Sequence, residues 1–126
     1  MRVLIIDDQA SQRAMHRMVI REVMPDARVW EAANGREGLR AAESMAPDLV
    51  LLDYRMPGLD GPEFLEEFRR DASLAEIPVM VATVLDASSI AASMANDPFV
   101  AIVPKPITAE SVSEAFHDLC KAQAGE

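Results

Sequence analysis

The sequence predicts an open α/β sheet with helices on both faces. Short apolar runs alternate with stretches of helical periodicity, strand then helix, along the whole chain. Each principal run also ends in a polar residue. Val3-Leu4-Ile5-Ile6 leads into Asp7-Asp8, and Leu49-Val50-Leu51-Leu52 into Asp53. Val79-Met80-Val81-Ala82 leads into Thr83, and Val100-Ala101-Ile102-Val103 into Pro104-Lys105-Pro106. Short runs this rich in Val, Ile and Leu are strands buried on both faces, as in a parallel sheet. A fifth segment, Arg28-Val29-Trp30-Glu31-Ala32, alternates and reads as an edge strand.

The helices follow from what lies between. Met15, Val19 and Val23 step by four with Met18 beside them, which predicts an apolar stripe, and Arg13, Arg17 and Arg21 occupy another face. Leu39, Ala42, Met45 and Ala46 repeat the pattern. Phe64, Leu65 and Phe68 form a shorter stripe opposite Glu66, Glu67, Arg69 and Arg70. Val112, Ala115, Phe116 and Leu119 sit at i, i+3, i+4 and i+7, the clearest amphipathic helix in the chain. Pro62 suits a first helical turn, and Thr108 is placed to cap the last helix. Ala87 to Met94, rich in small residues, reads as a short helix. Right-handed crossovers leave few topologies for this order. Residues 1–126 read as one domain, with 122–126 as the frayed end of the last helix or the start of a linker.

Composition narrows the classes of function. The 126 residues carry 12 basic and 21 acidic side chains, a net charge of −9, and half are hydrophobic. Such a chain buries a real core and is not disordered. The acidic balance argues against direct nucleic-acid binding and against docking on an anionic membrane. One cysteine, Cys120, makes neither an internal disulfide nor a structural zinc site. No apolar run approaches the ~20 residues of a membrane span, and Met1-Arg2 leads directly into the first strand without a signal-peptide pattern. A cytoplasmic location is the expectation.

In open parallel sheets ligands bind beyond the carboxyl ends of the strands. Parallel strands therefore bring Asp7, Asp8, Asp53, Thr83 and Lys105 to one rim. Two carboxylates ~4 Å apart repel by roughly 4 kcal/mol at an effective dielectric of 20. Three together call for a cation, and a hard divalent ion such as Mg²⁺ takes carboxylate oxygens and is often shared with a phosphate. Lys105 adds a point charge for a phosphoryl oxygen, and Thr83 adds a hydroxyl donor. One carboxylate can act as nucleophile and form an acyl phosphate. These are the parts that phosphoryl transfer to an aspartate requires. Lys105 also stands out because it is one of two lysines against ten arginines.

With these pieces in order, the chain resembles the receiver domain of two-component response regulators. The matching segments are Val3 to Asp8, Asp53-Tyr54-Arg55-Met56-Pro57-Gly58-Leu59-Asp60-Gly61, Ile77 to Thr83, and Lys105-Pro106. The resemblance implies a flavodoxin-like, doubly wound five-stranded parallel sheet of order 2-1-3-4-5. It implies Asp53 as phosphoacceptor, Asp8 as a direct Mg²⁺ ligand, and Asp7 acting largely through metal-bound water. The backbone carbonyl of Arg55 is the third protein ligand by the same resemblance. Thr83 resembles the switch hydroxyl and Lys105 the phosphoryl-contacting lysine, with a cis Lys105–Pro106 bond. Gly58 and Gly61 fall where the following loop turns. The implied function is a phosphorylation-dependent signalling switch rather than a stand-alone enzyme. The implied partners are a sensor histidine kinase or phosphotransfer protein, with a homodimer or an output domain in a longer chain downstream.

The sequence also departs from the family. Ile102 stands where the family usually has an aromatic ring, Val84 where a small residue follows the threonine, and Asn96-Asp97-Pro98-Phe99 where Gly-Ala is usual. Val84 is positioned to narrow the pocket entrance, and an irregular fourth helix and loop are expected. Arg55 and Leu85 occupy the positions that tune the chemistry. Leu85 has no polar atom to orient water, so slow autodephosphorylation is expected. Three other readings are weaker, the first a phosphorylation-independent docking domain, which the full acidic set argues against. A small-molecule phosphatase of the haloacid-dehalogenase type would need a second Asp two residues after Asp53, where Arg55 stands. A flavin or nucleotide module would need a phosphate-cradling loop where Asp7-Asp8-Gln9 repels phosphate.

Overall fold

The computed structural model describes residues 1–84 and 97–124, with side chains as far as Lys121. The expected helix at Ala87–Met94, and with it Leu85 and Asn96, lies outside the described residues. Along the chain come β1 (Arg2–Ile6), α1 (Ala10–Val23), β2 (Arg28–Ala32), α2 (Gly35–Met45) and β3 (Leu49–Asp53). Then follow α3 (Gly61–Arg70), a 3₁₀ turn at Ala72–Leu74, β4 (Val79–Thr83), β5 (Val100–Pro104) and α4 (Ala109–Ala124). The five strands form one sheet in the order β2-β1-β3-β4-β5, and every pairing is parallel. Arg28–Ala32 is indeed an edge strand.

Strand alternation divides the core in two. Leu4, Ile6, Val50, Leu52, Val79 and Val81 face α2 and α3, where they meet Ala42, Met45, Phe64 and Phe68. Val3, Ile5, Leu49, Leu51, Met80, Ala82 and Val103 face α1 and α4, where they meet Ile20, Val112, Ala115 and Leu119. Residues 3–6, 49–53 and 79–83 are buried throughout. This is why those strands read as continuous apolar runs.

The first helix corrects the expected stripe. Its buried residues are His16 and Ile20, whereas Met15 is 46% and Met18 72% exposed. Val19 and Val23 are half-buried against the core. The four-residue step was right, but the inward face is turned by one residue toward His16. In α2, Ala42 and Met45 are buried as expected, while Ala46 caps the helix in the left-handed region at φ 49°. Thr108 caps α4 as expected, its Oγ1 accepting from Ser111 N at 3.0 Å. Ile102 is part-buried against the core. Val84 is 77% exposed and turns to solvent.

Helix α2 approaches β1 closely because Gly38 has no side chain. A Cβ there would lie 2.5 Å from Ile6 Cδ1. At Gly58, φ is +86°, a conformation that suits glycine in the loop after β3.

Candidate functional site

Parallel strands end together, so β1, β3, β4 and β5 deliver their carboxyl-terminal residues to one rim. Asp53 is the last residue of β3 and Thr83 the last of β4, paired in register beside Ala82 and Pro104. Asp7 follows β1, and its backbone N–H donates to Ala32 O at 3.2 Å. Lys105 follows β5, and its N–H donates to Thr83 O at 2.8 Å. The order β1-β3 beside β2-β1 is the topological switch point, where such sheets leave a crevice.

Carboxylate oxygens of Asp7, Asp8 and Asp53 lie within 4.8 Å of one another, a group able to hold a metal ion. Asp7 and Asp53 are buried and Asp8 is exposed, so the cluster opens to solvent on one side. Lys105 Nζ donates to Asp53 Oδ1 at 2.8 Å and lies 3.7 Å from Asp7 Oδ2. One ammonium thus faces two carboxylates. Asp7 Oδ1 accepts from Gln9 N at 2.9 Å, but Asp7 Oδ2 is buried without a hydrogen-bond partner. Burial pushes the Asp7 carboxyl above its ordinary value, and the negative charges of Asp53 and Asp8 push the same way. The Gln9 N–H and Lys105 oppose this without prevailing. A buried carboxylate oxygen with no hydrogen-bond partner, among hard oxygen donors, fits a hard divalent cation such as Mg²⁺.

The surroundings hold these groups in place. Asp60 and Glu63 form a capping box at the start of α3, each side chain accepting from the other's backbone N–H at 3.2 Å. Gly61 N–H donates to Tyr54 O at 2.8 Å, which folds the loop of residues 54–60 back onto the end of β3. Arg55 is exposed on that loop, in an open groove of about 470 Å³ shared with Tyr54, Met56, Pro57 and Asp60. Thr83 is 3% exposed. The Lys105–Pro106 peptide is cis, as the resemblance implied.

The sequence reading missed two participants. Arg13 donates to the Asp7 carbonyl at 2.6 Å and to Glu31 Oε1 at 3.0 Å, so α1 braces both the rim and the edge strand. Arg17 also binds Glu31, and the two guanidinium groups hold that carboxyl below its usual range. The second is His16, 3% exposed in α1. Burial pushes its imidazole down, Lys105 adds to the effect, and Asp53 opposes it. Nothing in the periodicity marked it, because its position is an ordinary core position of an amphipathic helix.

Fold and rim together define a doubly wound α/β domain with an acidic, lysine-bearing pocket at its switch point. The chain matches the family described as "Response regulator receiver domain" over residues 3–117 and belongs to it. It is 36% identical over 105 residues to the cyclic di-GMP phosphodiesterase response regulator RpfG of Xanthomonas campestris pv. campestris, a match covering 83% of this chain and 28% of RpfG. It is 34% identical over 85 residues to the protein PilH of Pseudomonas aeruginosa, covering 68% of this chain and 69% of PilH. In fold it is similar to the chemotaxis protein CheY4 of Vibrio cholerae, with a TM-score of 0.83 at 24% identity over 94% of this chain and 97% of that one. Among the described residues no helix is long and apolar enough to cross a membrane.

Proposed function

We propose that the chain is a phosphorylation-dependent switch in which Asp53 accepts a phosphoryl group from a histidine kinase or phosphotransfer protein. The observation that carries this reading is the Lys105–Asp53 pair beside a buried Asp7 oxygen that has no hydrogen-bond partner. Asp7, Asp8, Asp53 and the Arg55 carbonyl would hold Mg²⁺. Bound there, the ion supplies positive charge to carboxylates and phosphoryl oxygens that otherwise repel.

The residues of the chain divide the remaining work. A carboxylate oxygen of Asp53 attacks phosphorus, the bond from phosphorus to the donor breaks, and an acyl phosphate forms. Lys105 moves from pairing with a carboxylate to pairing with a phosphoryl oxygen. Thr83 donates a hydrogen bond to another phosphoryl oxygen. The new group adds a charge of about −1.5 to −2 at the rim, enough to bias a two-state surface. Leu85, with no polar atom for an attacking water, favours a long-lived phosphoryl group. Residues 1–126 serve as one receiver unit. Its downstream partner is a second copy or an output domain.

Incubation with acetyl phosphate and Mg²⁺ tests the reading. Stoichiometric, acid-stable and base-labile phosphate is expected on the chain, and none on Asp53→Asn. Retained labelling of that variant would sink the assignment.

A further inference from the structure

The buried histidine of α1 takes no part in that chemistry. His16 shares the inward face of that helix with Ile20. Backbone alternation puts it in one layer with the pocket. Val3 and Ile5 of β1, Leu49 and Leu51 of β3, and Val103 of β5 all belong to the core cluster under α1 and α4. Asp7, Asp53 and Lys105 continue those three alternating series at the rim. Because all five strands are parallel, α1 starts at the rim with Ala10 and runs back beneath it. His16 is six residues further on, so it lies ~9 Å along the helix axis below the rim.

The groups around it are few. Toward the sheet the charged ones are Asp7 after β1, Asp53 of β3 and Lys105 after β5, and the last two already act on the imidazole in opposite senses. From α4 the inward positions are Val112, Ala115 and Leu119, which carry no charge. On its own helix, Arg17 is turned to Glu31, and Arg13 to Glu31 and to the Asp7 carbonyl. Among the described residues no side-chain hydrogen bond is found for the ring of His16. The imidazole therefore lies buried in the layer beneath the Lys105–Asp53 pair. A change of charge at Asp53 acts on it across protein rather than across bulk water.

We propose that His16 is a proton-binding site coupled to the charge on Asp53, so that a phosphoryl group at Asp53 draws a proton from solvent onto the imidazole. The coupling is reciprocal, and a proton on His16 stabilises the phosphorylated pocket to the same extent. Only a nitrogen–hydrogen bond forms at His16, and no other bond changes there. The inference rests on the reading of Asp53 as phosphoacceptor.

A pH titration of the histidine ring signals by ¹³C–¹H NMR tests it on the whole chain. Mg²⁺ is present throughout, with and without beryllofluoride as phosphoryl mimic, so only the mimic's charge differs. The chain has two histidines, and exposed His117 serves as the internal reference. The expected result is a rise of about one pH unit in the His16 midpoint on binding, a tenfold gain in proton affinity, with His117 unmoved. An unmoved His16 alongside a fluorine signal from bound fluoroberyllate overturns the coupling and leaves the phosphoacceptor reading intact. Absence of that fluorine signal together with no labelling by acetyl phosphate overturns both. His16→Gln gives a second readout. The pH dependence of the phosphoryl group's lifetime should carry a histidine component in the wild type that is missing in the variant. An identical pH dependence in both also overturns the coupling.

Discussion

Lys105 Nζ lies 2.8 Å from Oδ1 of Asp53, with side chains 15% and 9% exposed. The pair joins the ends of β3 and β5, and it is the nearest positive charge to the buried oxygen of Asp7. Lys105→Met would leave the clustered carboxylates of Asp7, Asp8 and Asp53 without that charge. Breaking such a largely buried pair by removing one partner costs on the order of 1–3 kcal/mol. Urea unfolding in EDTA should show that loss, and millimolar Mg²⁺ should recover part of it. Equal stabilities in EDTA would mean that the pair contributes nothing to the metal-free fold.

Asp7 makes the opposite prediction. Burial, with help from Asp53 and Asp8, raises its pKa from the ordinary 3.8. A carboxyl whose folded value exceeds its unfolded value favours the fold most below the unfolded value. That contribution is lost as pH rises through the folded value. The metal-free protein should therefore lose stability as pH rises from about 4 toward neutrality. Asp7→Asn should abolish that loss and be more stable than wild type at pH 7 by ~1 kcal/mol, while losing its stabilisation by Mg²⁺. Melting curves in EDTA and in Mg²⁺ across this pH range check both halves.

How much of this was legible beforehand depended on which interactions have a periodic signature. Residues 3–6, 49–53 and 79–83 are buried on both faces, so their apolar runs declared the sheet directly. The rim residues followed from strand ends alone, because parallel strands must deliver Asp7, Asp53, Thr83 and Lys105 to the same side. The face of α1 was misjudged because Met15 and Met18 count as apolar by residue type but lie in solvent. His16 counts as polar but lies in the core. Charged contacts across long loops left no trace at all. Arg69 stands in the sequence only as part of the polar face opposite Phe64, Leu65 and Phe68, yet it reaches Asp97 and the carbonyls of Leu74 and Ile77.

That arginine is a clamp at the end of the sheet opposite the site. Its Nε donates to Asp97 Oδ2 at 2.7 Å, and its Nη1 donates to Leu74 O at 2.9 Å and to Ile77 O at 2.7 Å. Asp97 in turn accepts from Phe99 N at 2.9 Å. One planar fork thus ties α3, the 3₁₀ turn, the segment before β4 and the segment before β5. Arg69→Leu should cost ~2–4 kcal/mol in urea unfolding, since it strands a part-buried carboxylate and two carbonyls. Arg69→Lys should recover less than half, because an ammonium cannot reproduce the fork. Labelling of Asp53 by acetyl phosphate should be unchanged below the unfolding transition, which separates the clamp from the pocket.

Gly38 sets how closely α2 lies on β1. In an isolated helix Ala is more favourable than Gly by about 1 kcal/mol. Here a Cβ would fall 2.5 Å from Ile6 Cδ1 and 3.0 Å from Ile6 Cγ1, and Ile6 is fully buried. Ile6 also precedes Asp7, so the side chain cannot yield without disturbing the strand end that carries the buried carboxylate. Overpacking of this kind costs roughly 1–3 kcal/mol, which outweighs the propensity gain. Gly38→Ala should therefore melt below wild type. Ile6→Val removes the Cδ1 atom that collides, at a cost of about 0.5–1.5 kcal/mol by itself. In that background Gly38→Ala should cost clearly less, because the 2.5 Å collision is gone while the tight contacts at 3.0 and 3.3 Å to Cγ1 and Cγ2 remain. A double-mutant cycle measured by urea unfolding reads the difference, and additive effects would show that the contact with Ile6 is not what requires a glycine.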